Sequence, residues 1–316
     1  MRSFIVCLAL LALGAAAEAA TDWGAARAAL CPSAAAPVID GKLDDPAWQA
    51  VPPLAGFVTY PEGGPADPPT TLRIAHDEGS IFIGLSCAEP DMAAAKSAAA
   101  ETDADVFEEN CAVVVFDVGR ERRQHGFIEL AANLLGTKHD AFDDDHSWNG
   151  TWRVAVQRGA DSWTMEMAIP FADLRRRPES GDLWGFNAAR YRNTGDVEQV
   201  FVWSRPRDGF WNTENFGCVV FDSLERNLAR DLDRLEQRVA ADQPYLAGVA
   251  RKFGPDDQYV RGALAAPTIA AELRGRVENG VKDGDAWREL KVAIARAEAE
   301  YEDAMWNLRF EELFAD

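Results

Sequence analysis

"SWTMEMAI", residues 162–169, sets Trp163, Met165, Met167 and Ile169 against Ser162, Thr164, Glu166 and Ala168. A period of two places one set in a core and leaves the other towards water, which is the pattern of a β-strand. Similar runs lie on both sides. "TTLRIAH" (70–76), "SIFIGLSC" (80–87), "NCAVVVF" (110–116) and "GFIELAA" (126–132) precede it. "TWRVAVQ" (151–157) stands just before it, and "LWGFNAARY" (183–191), "QVFVW" (199–203) and "GCVVFD" (217–222) follow. Gly, Pro, Asp and Asn punctuate the gaps, and no long helical pattern intervenes. Short strands at this spacing predict an antiparallel β-sandwich over residues 38–222. Trp163, Trp184 and Trp203 fall within strand periods and are expected in its core, and Trp48 is expected to plug one end.

After Asp222 the period changes. Leu224, Leu228, Leu232, Leu235 and Val239 form one apolar stripe of a helix, capped by Ser223. A second stripe, Leu290, Ile294, Ala297, Tyr301, Met305 and Leu308, predicts a helix from about Asp285 to Phe314. Between them Pro244, Gly254-Pro255 and Pro267 predict breaks, so residues 223–316 read as a helical hairpin with shorter pieces in its middle. The fold class is therefore mainly β, a sandwich followed by an α-helical C-terminal region.

The N-terminus reads as an export signal. Arg2 precedes the apolar "FIVCLALLALGAAA", and Ala17-Glu18-Ala19 fits a cleavage site, giving a signal peptide over 1–19 and an alanine-rich linker over 20–37. The apolar run, about 14 residues, is short for a membrane span. A secreted, periplasmic or cell-envelope location follows. Four cysteines remain beyond the leader: Cys31, Cys87, Cys111 and Cys218. They stand either as disulfides, with Cys87 and Cys111 suited to a cross-strand pair, or as four buried thiols.

The net charge of −20, from 52 acidic against 32 basic residues, argues against nucleic acid as a partner. The chain lacks G-x-S-x-G, H-E-x-x-H and G-x-x-x-x-G-K-[ST], so the usual hydrolase, metalloprotease and nucleotide motifs are missing and no enzymatic activity is expected. The methionines after the leader offer no ligand pair for haem. In "GTKHDAFDDDHSWNGTW" (136–152) the aspartates lack EF-hand spacing. That segment reads as a strand edge plus a polar loop. Asp140, Asp143 and Asp145 are the candidates for a calcium loop, and His139 with His146 for zinc. Asn149-Gly150 signals a tight turn, and with Thr151 spells a glycosylation sequon.

Six segments resemble the family 9 carbohydrate-binding modules, in the family's order. They are "PVIDGKLDDPAWQ" (37–49), "LRIAHDEGSIFIGLSCAEPD" (72–91), "FIELAANLLGTKHDA" (127–141), "WTMEMAIPFADL" (163–174), "GDLWGFNAAR" (181–190) and "WSRPRDGFWNTENFGCVVF" (203–221). The resemblance implies an exported, non-catalytic sandwich that binds oligo- or polysaccharide and serves polysaccharide breakdown, with structural calcium near Asp45 and Glu89. The family holds a sugar ring between two tryptophans, since pyranose C–H faces pack on aromatic faces. The tryptophan of the closing segment matches Trp211, with Asn212 beside it, and the opposing ring matches Phe107. The family's carboxylate on the next strand falls on Val113, and its arginine on Ile128. Those two losses keep a second reading in view: a structural or protein-interaction protein that reuses the sandwich, with self-association or a protein partner at the helical tail.

Overall fold

The computed structural model describes residues 27–118, 126–143, 145–207 and 209–314. The expected signal peptide lies outside them. The chain forms two compact units, a sandwich from Arg27 to Ser223 and a helical unit from Leu224 onward.

Among the described residues the sandwich has an eight-stranded and a four-stranded sheet. The larger contains β1 (Ala28–Cys31), β2 (Val58–Tyr60), β5 (Cys111–Asp117), β6 (Phe127–Asn133) and β7 (Lys138–Phe142). It is completed by β10 (Leu183–Thr194), β11 (Val197–Val202) and β12 (Gly217–Phe221). The smaller holds β3 (Thr70–His76), β4 (Ser80–Ala88), β8 (Arg153–Arg158) and β9 (Ser162–Pro170), in the order β3-β4-β9-β8. The larger runs β1-β12-β10-β5-β6-β7, and β11 joins β10 to β2. All pairings within these strands are antiparallel except β1 with β12.

The period of two sends one set of side chains inward as the sequence predicts, but the expected wet face is only partly wet, since Glu166 and Ala168 are buried beneath the opening turn. Met165, Met167 and Ile169 of β9 meet Val114, Phe116, Ile128 and Leu130 of the opposite sheet in one core. Trp163, Trp184 and Trp203 lie in the same core, each at most 1% exposed. Trp48, on the short helix α1 (Pro46–Gln49), packs instead with Phe82 and Ala168 on the outer side of the four-stranded sheet. Its Nε1 donates to Glu166 Oε1 at 2.7 Å, and the backbone N–H groups of Asp40 and Gly41 donate to Glu166 Oε2. One buried carboxylate thus ties the opening turn to the sheet.

Two expectations change here. Residues 28–31, within the expected linker, form β1, because their backbone groups pair with 218–221 along the sheet edge. Cys87 and Cys111 sit in different sheets, and Cys31, Cys87, Cys111 and Cys218 are all buried free thiols. Burial pushes the Cys87 thiol up to about 11, which leaves it a neutral packing group.

The helical unit has three long helices: α2 (Leu224–Phe253), α3 (Gln258–Glu278) and α4 (Gly284–Leu313). Each packs on the other two. Both predicted stripes are buried. Pro244 and Pro267 stand inside α2 and α3 rather than ending them. The chain does break at Gly254, whose φ of +90° suits a residue without a Cβ. Asp257 and Asp283 then cap α3 and α4 through backbone N–H groups. Among the described residues, no helix is long and apolar enough to cross a membrane.

Candidate functional site

The strand phase that sends Val114, Phe116 and Leu130 into the core sends their neighbours to the outer face of the eight-stranded sheet. There Cys111, Val113, Val115, Ala131, Ala189 and Val202 form a second apolar layer. An uncovered sheet face would carry polar residues. This one carries a row of rings instead.

The row begins with Trp211, which lies parallel to Phe127 at 5.9 Å between centroids and meets the edge of Phe210 at 4.4 Å. Phe210 contacts Tyr60 at 5.7 Å and Tyr191 at 6.2 Å. Tyr191 meets Phe107 at 5.3 Å, Phe107 meets His139 at 5.2 Å, and His139 meets His146 at 5.3 Å. The rings come from β2, β6, β7 and β10 and from the loops before β5, after β7 and before β12. At the middle of the row opens a groove of about 570 Å³ lined by Tyr60, Phe107, Tyr191 and Val200, with Thr59, Glu62, Glu108, Asn193, Glu198 and Gln199. Burial, with Cys111 and Glu129 nearby, pushes the Tyr191 phenol up, so it stays a neutral hydroxyl. The sheet pairing fixes this lining: Tyr191 is opposite Val200 on β11, which is opposite Tyr60 on β2.

Of the residues singled out from sequence, Phe107 lines the groove, and Trp211 and Asn212 do not. Trp211 is 37% exposed and stands further along the row, with Phe210 packed against its edge. Asn212 turns its Oδ1 to the backbone N–H of Glu214 and caps the short 3₁₀ turn at Thr213–Asn215. Val113 is on the outer face, as an aligned binding position requires. Ile128 is in the sandwich core, and the outer-face neighbour on β6 is Glu129. Tyr60, Tyr191 and Phe210 were not foreseen. Tyr191 was within reach, since it continues the outward phase of Asn187 and Ala189. Tyr60 sits on a strand of three residues, too short to show a period.

Glu129 is 4% exposed, and among the described residues the ionisable group paired with it is His139, whose Nε2 is 3.8 Å from Oε1. Burial pushes its carboxyl up from 4.5 to about 7. A carboxyl raised on folding stabilises most below its unfolded value, and that contribution is lost as pH climbs through about 7. Glu129→Gln is therefore expected to flatten the loss of stability between about pH 5 and pH 8. At the upper end it should stabilise the sandwich by about 2 kcal/mol. Urea midpoints measured across that range check it; parallel profiles for parent and variant would refute it.

The metal candidates divide. Glu89 does not fit a calcium ligand: it is fully buried, and both its oxygens accept hydrogen bonds from arginine. Asp45 Oδ2 accepts the Val38 backbone N–H at 3.2 Å. Asp140 accepts from Trp152 Nε1, Asp143 from the backbone of Gly126 and Phe127, and Asp145 from Ser147, so each braces its own loop. His139 and His146 come together as rings, yet among the described residues no three His, Cys, Asp or Glu side chains converge as a metal site.

Two mostly antiparallel sheets with a ring-lined outer face place the first unit among the β-sandwich modules. The chain belongs to the family described as "Carbohydrate family 9 binding domain-like", a family of non-catalytic modules, which matches residues 39–224. The helical unit lies beyond that match. Among solved structures, the chain is similar to a family 9 carbohydrate-binding module from Caldicellulosiruptor kristjanssonii, determined in complex with cellotriose. The TM-score is 0.51 at 14% identity, covering 62% of this chain and 94% of that one. The glucose complex of a family 9 module from the same organism gives the same score and identity, with 95% of its chain covered. At that identity the likeness is one of fold. No curated relative matches the sequence.

Proposed function

We propose that the protein is an exported, non-catalytic carbohydrate-binding protein whose sugar site is the ring-lined groove on the outer face of the eight-stranded sheet. One observation carries this reading: Tyr60, Phe107 and Tyr191 converge from β2, the β4–β5 connection and β10 around a sugar-sized opening with polar groups at its rim. Ring faces supply sequence-tolerant packing for pyranose C–H groups, and Gln199 and Asn193 supply hydrogen-bonding atoms. The family supports the reading, as does the Caldicellulosiruptor module's complex with cellotriose. The leader at 1–19 supports export, and a role beside polysaccharide-degrading enzymes follows from such a location. Calorimetry of the full chain against gluco-, xylo- and amino-oligosaccharides tests it. Saturable binding to at least one of them is expected; no binding to any removes the reading.

A second reading is favoured by the helical unit. Trp306 and Phe310 stack at 5.2 Å on α4, with Phe314 beyond them at 4.8 Å, and Trp306 and Phe314 are 45% and 66% exposed. Such a patch suits a protein partner or a second copy of the chain. If it serves one, sedimentation of the parent shows a larger species that Trp306→Glu abolishes; a monomer in both cases counts against it.

A further inference from the structure

The polar rim of the groove is one-sided. Glu62, Glu108 and Glu198 line it, all three exposed, and none has a hydrogen-bond or ion-pair partner among the described residues. Among the described residues, no lysine or arginine lines it. Arg192, on the strand that carries Tyr191 and Asn193, is committed to Glu89 and to Gln199 Oε1, which leaves the Gln199 amide as a donor, and Arg205 donates to the Pro61 carbonyl beside Glu62. A fourth acceptor points the same way. Asn193 is 7% exposed and lines the groove; its Nδ2 donates to the carbonyls of Phe107 and Glu109, while its Oδ1 accepts no hydrogen bond from the described residues. That oxygen is open to the groove and is free to accept from a ligand's donor.

Aromatic faces attract cations through their quadrupole as well as sugar C–H groups. Three rings, three unpaired carboxylates and an open acceptor therefore favour a ligand rich in donors and positive charge. A uronic acid or sulfated chain meets the opposite field, reinforced by a net charge of −20. We infer that the groove selects a glycan with free amino groups, hexosamine units that carry a protonated amine in mildly acidic water. The inference rests on the proposed sugar-binding reading and names the sugar class for it. The pyranose body lies on Tyr60, Phe107 and Tyr191, and the ammonium faces Glu62, Glu108 and Glu198.

The test is calorimetry of the full chain at about pH 6, where a primary amine is protonated. A glucosamine tetramer, its fully N-acetylated counterpart, cellotetraose and tetralysine are compared. The glucosamine tetramer is expected to bind about tenfold more tightly than either neutral tetramer. That advantage should shrink to about twofold at about 0.5 M salt, where exposed charges are screened. The triple variant Glu62→Gln, Glu108→Gln, Glu198→Gln should bind all three sugars alike. Cellotetraose binding as tightly as the glucosamine tetramer overturns the inference and leaves the sugar reading standing. Tetralysine matching the glucosamine tetramer also overturns it, since acidity alone would then explain the attraction. Failure of all three sugars overturns both.

Discussion

A Glu89→Ala chain is expected to lose about 3–5 kcal/mol of stability in its sandwich unit, the cost of stripping a buried cation of its counter-charge. The Glu89 side chain is fully buried, and so is that of Arg190. Arg190 Nη2 donates to Glu89 Oε2 at 3.0 Å, Arg192 Nε and Nη2 donate at 2.8 and 2.9 Å, and Thr194 Oγ1 donates at 3.0 Å. Burial pushes the Glu89 carboxyl up, but the bonds from Arg192, the Asp91 N–H and Thr194 bring it below its ordinary value. A depressed carboxylate stabilises above its unfolded pKa, and that support fades in acid. In the alanine variant Arg190 keeps its bonds to the Ala88 carbonyl at 2.8 Å and to Thr70 Oγ1 at 3.4 Å, and loses its charge partner. The thermal midpoint should fall by about 6–20 °C for a unit of this size. Glu89→Gln should fall nearly as far, because shape without charge leaves the same uncompensated guanidinium. A midpoint within about 2 °C of the parent would mean that solvent reaches the pair. The groove would also feel the loss, since Arg192 is what holds Gln199 Oε1.

The second large effect is on binding. Replacing Phe107 and Tyr191 together by alanine is expected to weaken sugar affinity on the order of a hundredfold. Buried aromatic anchors of this kind each contribute about 1–2 kcal/mol or more. The rings are 5.3 Å apart, so the two losses are not independent, and each single variant should show more than half of the pair's effect. A Phe107→Leu, Tyr191→Leu pair keeps apolar volume on the sheet face and should lose nearly as much. That separates stacking from folding. Trp211→Ala, outside the groove, should change affinity by about twofold or less. Calorimetry with whichever oligosaccharide binds best decides. A large loss at Trp211 with little at Tyr191 would move the site along the row to Trp211 and Phe127.

The sandwich was legible because alternation is a local signal. Trp163, Met165, Met167 and Ile169 show it within one strand, and the structure buries all four. β1 was missed because "AALC" has no alternation to read; it is a strand only because 218–221 lie beside it. Pro244 and Pro267 were read as breaks, yet packing of the flanking turns against neighbouring helices holds α2 and α3 together through them. The site was less legible, since its rings come from 60, 107 and 191 and meet only through strand order. Ile128 is the sharper case. A one-residue shift on a strand moves a side chain to the opposite face. The position that looked like a lost polar contact is core, and the polar residue beside it, Glu129, is the one that reaches the ring row. Asn212 shows the converse: a residue aligned to bind sugar caps its own turn.

The parallel edge pair of β1 and β12 has a mechanical consequence. Ala28 lies beside Cys218 and Cys31 beside Phe221, so the chain enters this edge at one end and leaves it at the other. Tension between the segment before Ala28 and the segment after Phe221 therefore loads the ladder lengthwise. Its bonds must slide and rupture together instead of unzipping one at a time. A module tethered through its two termini on a moving polymer would resist pulling along that line far better than across it.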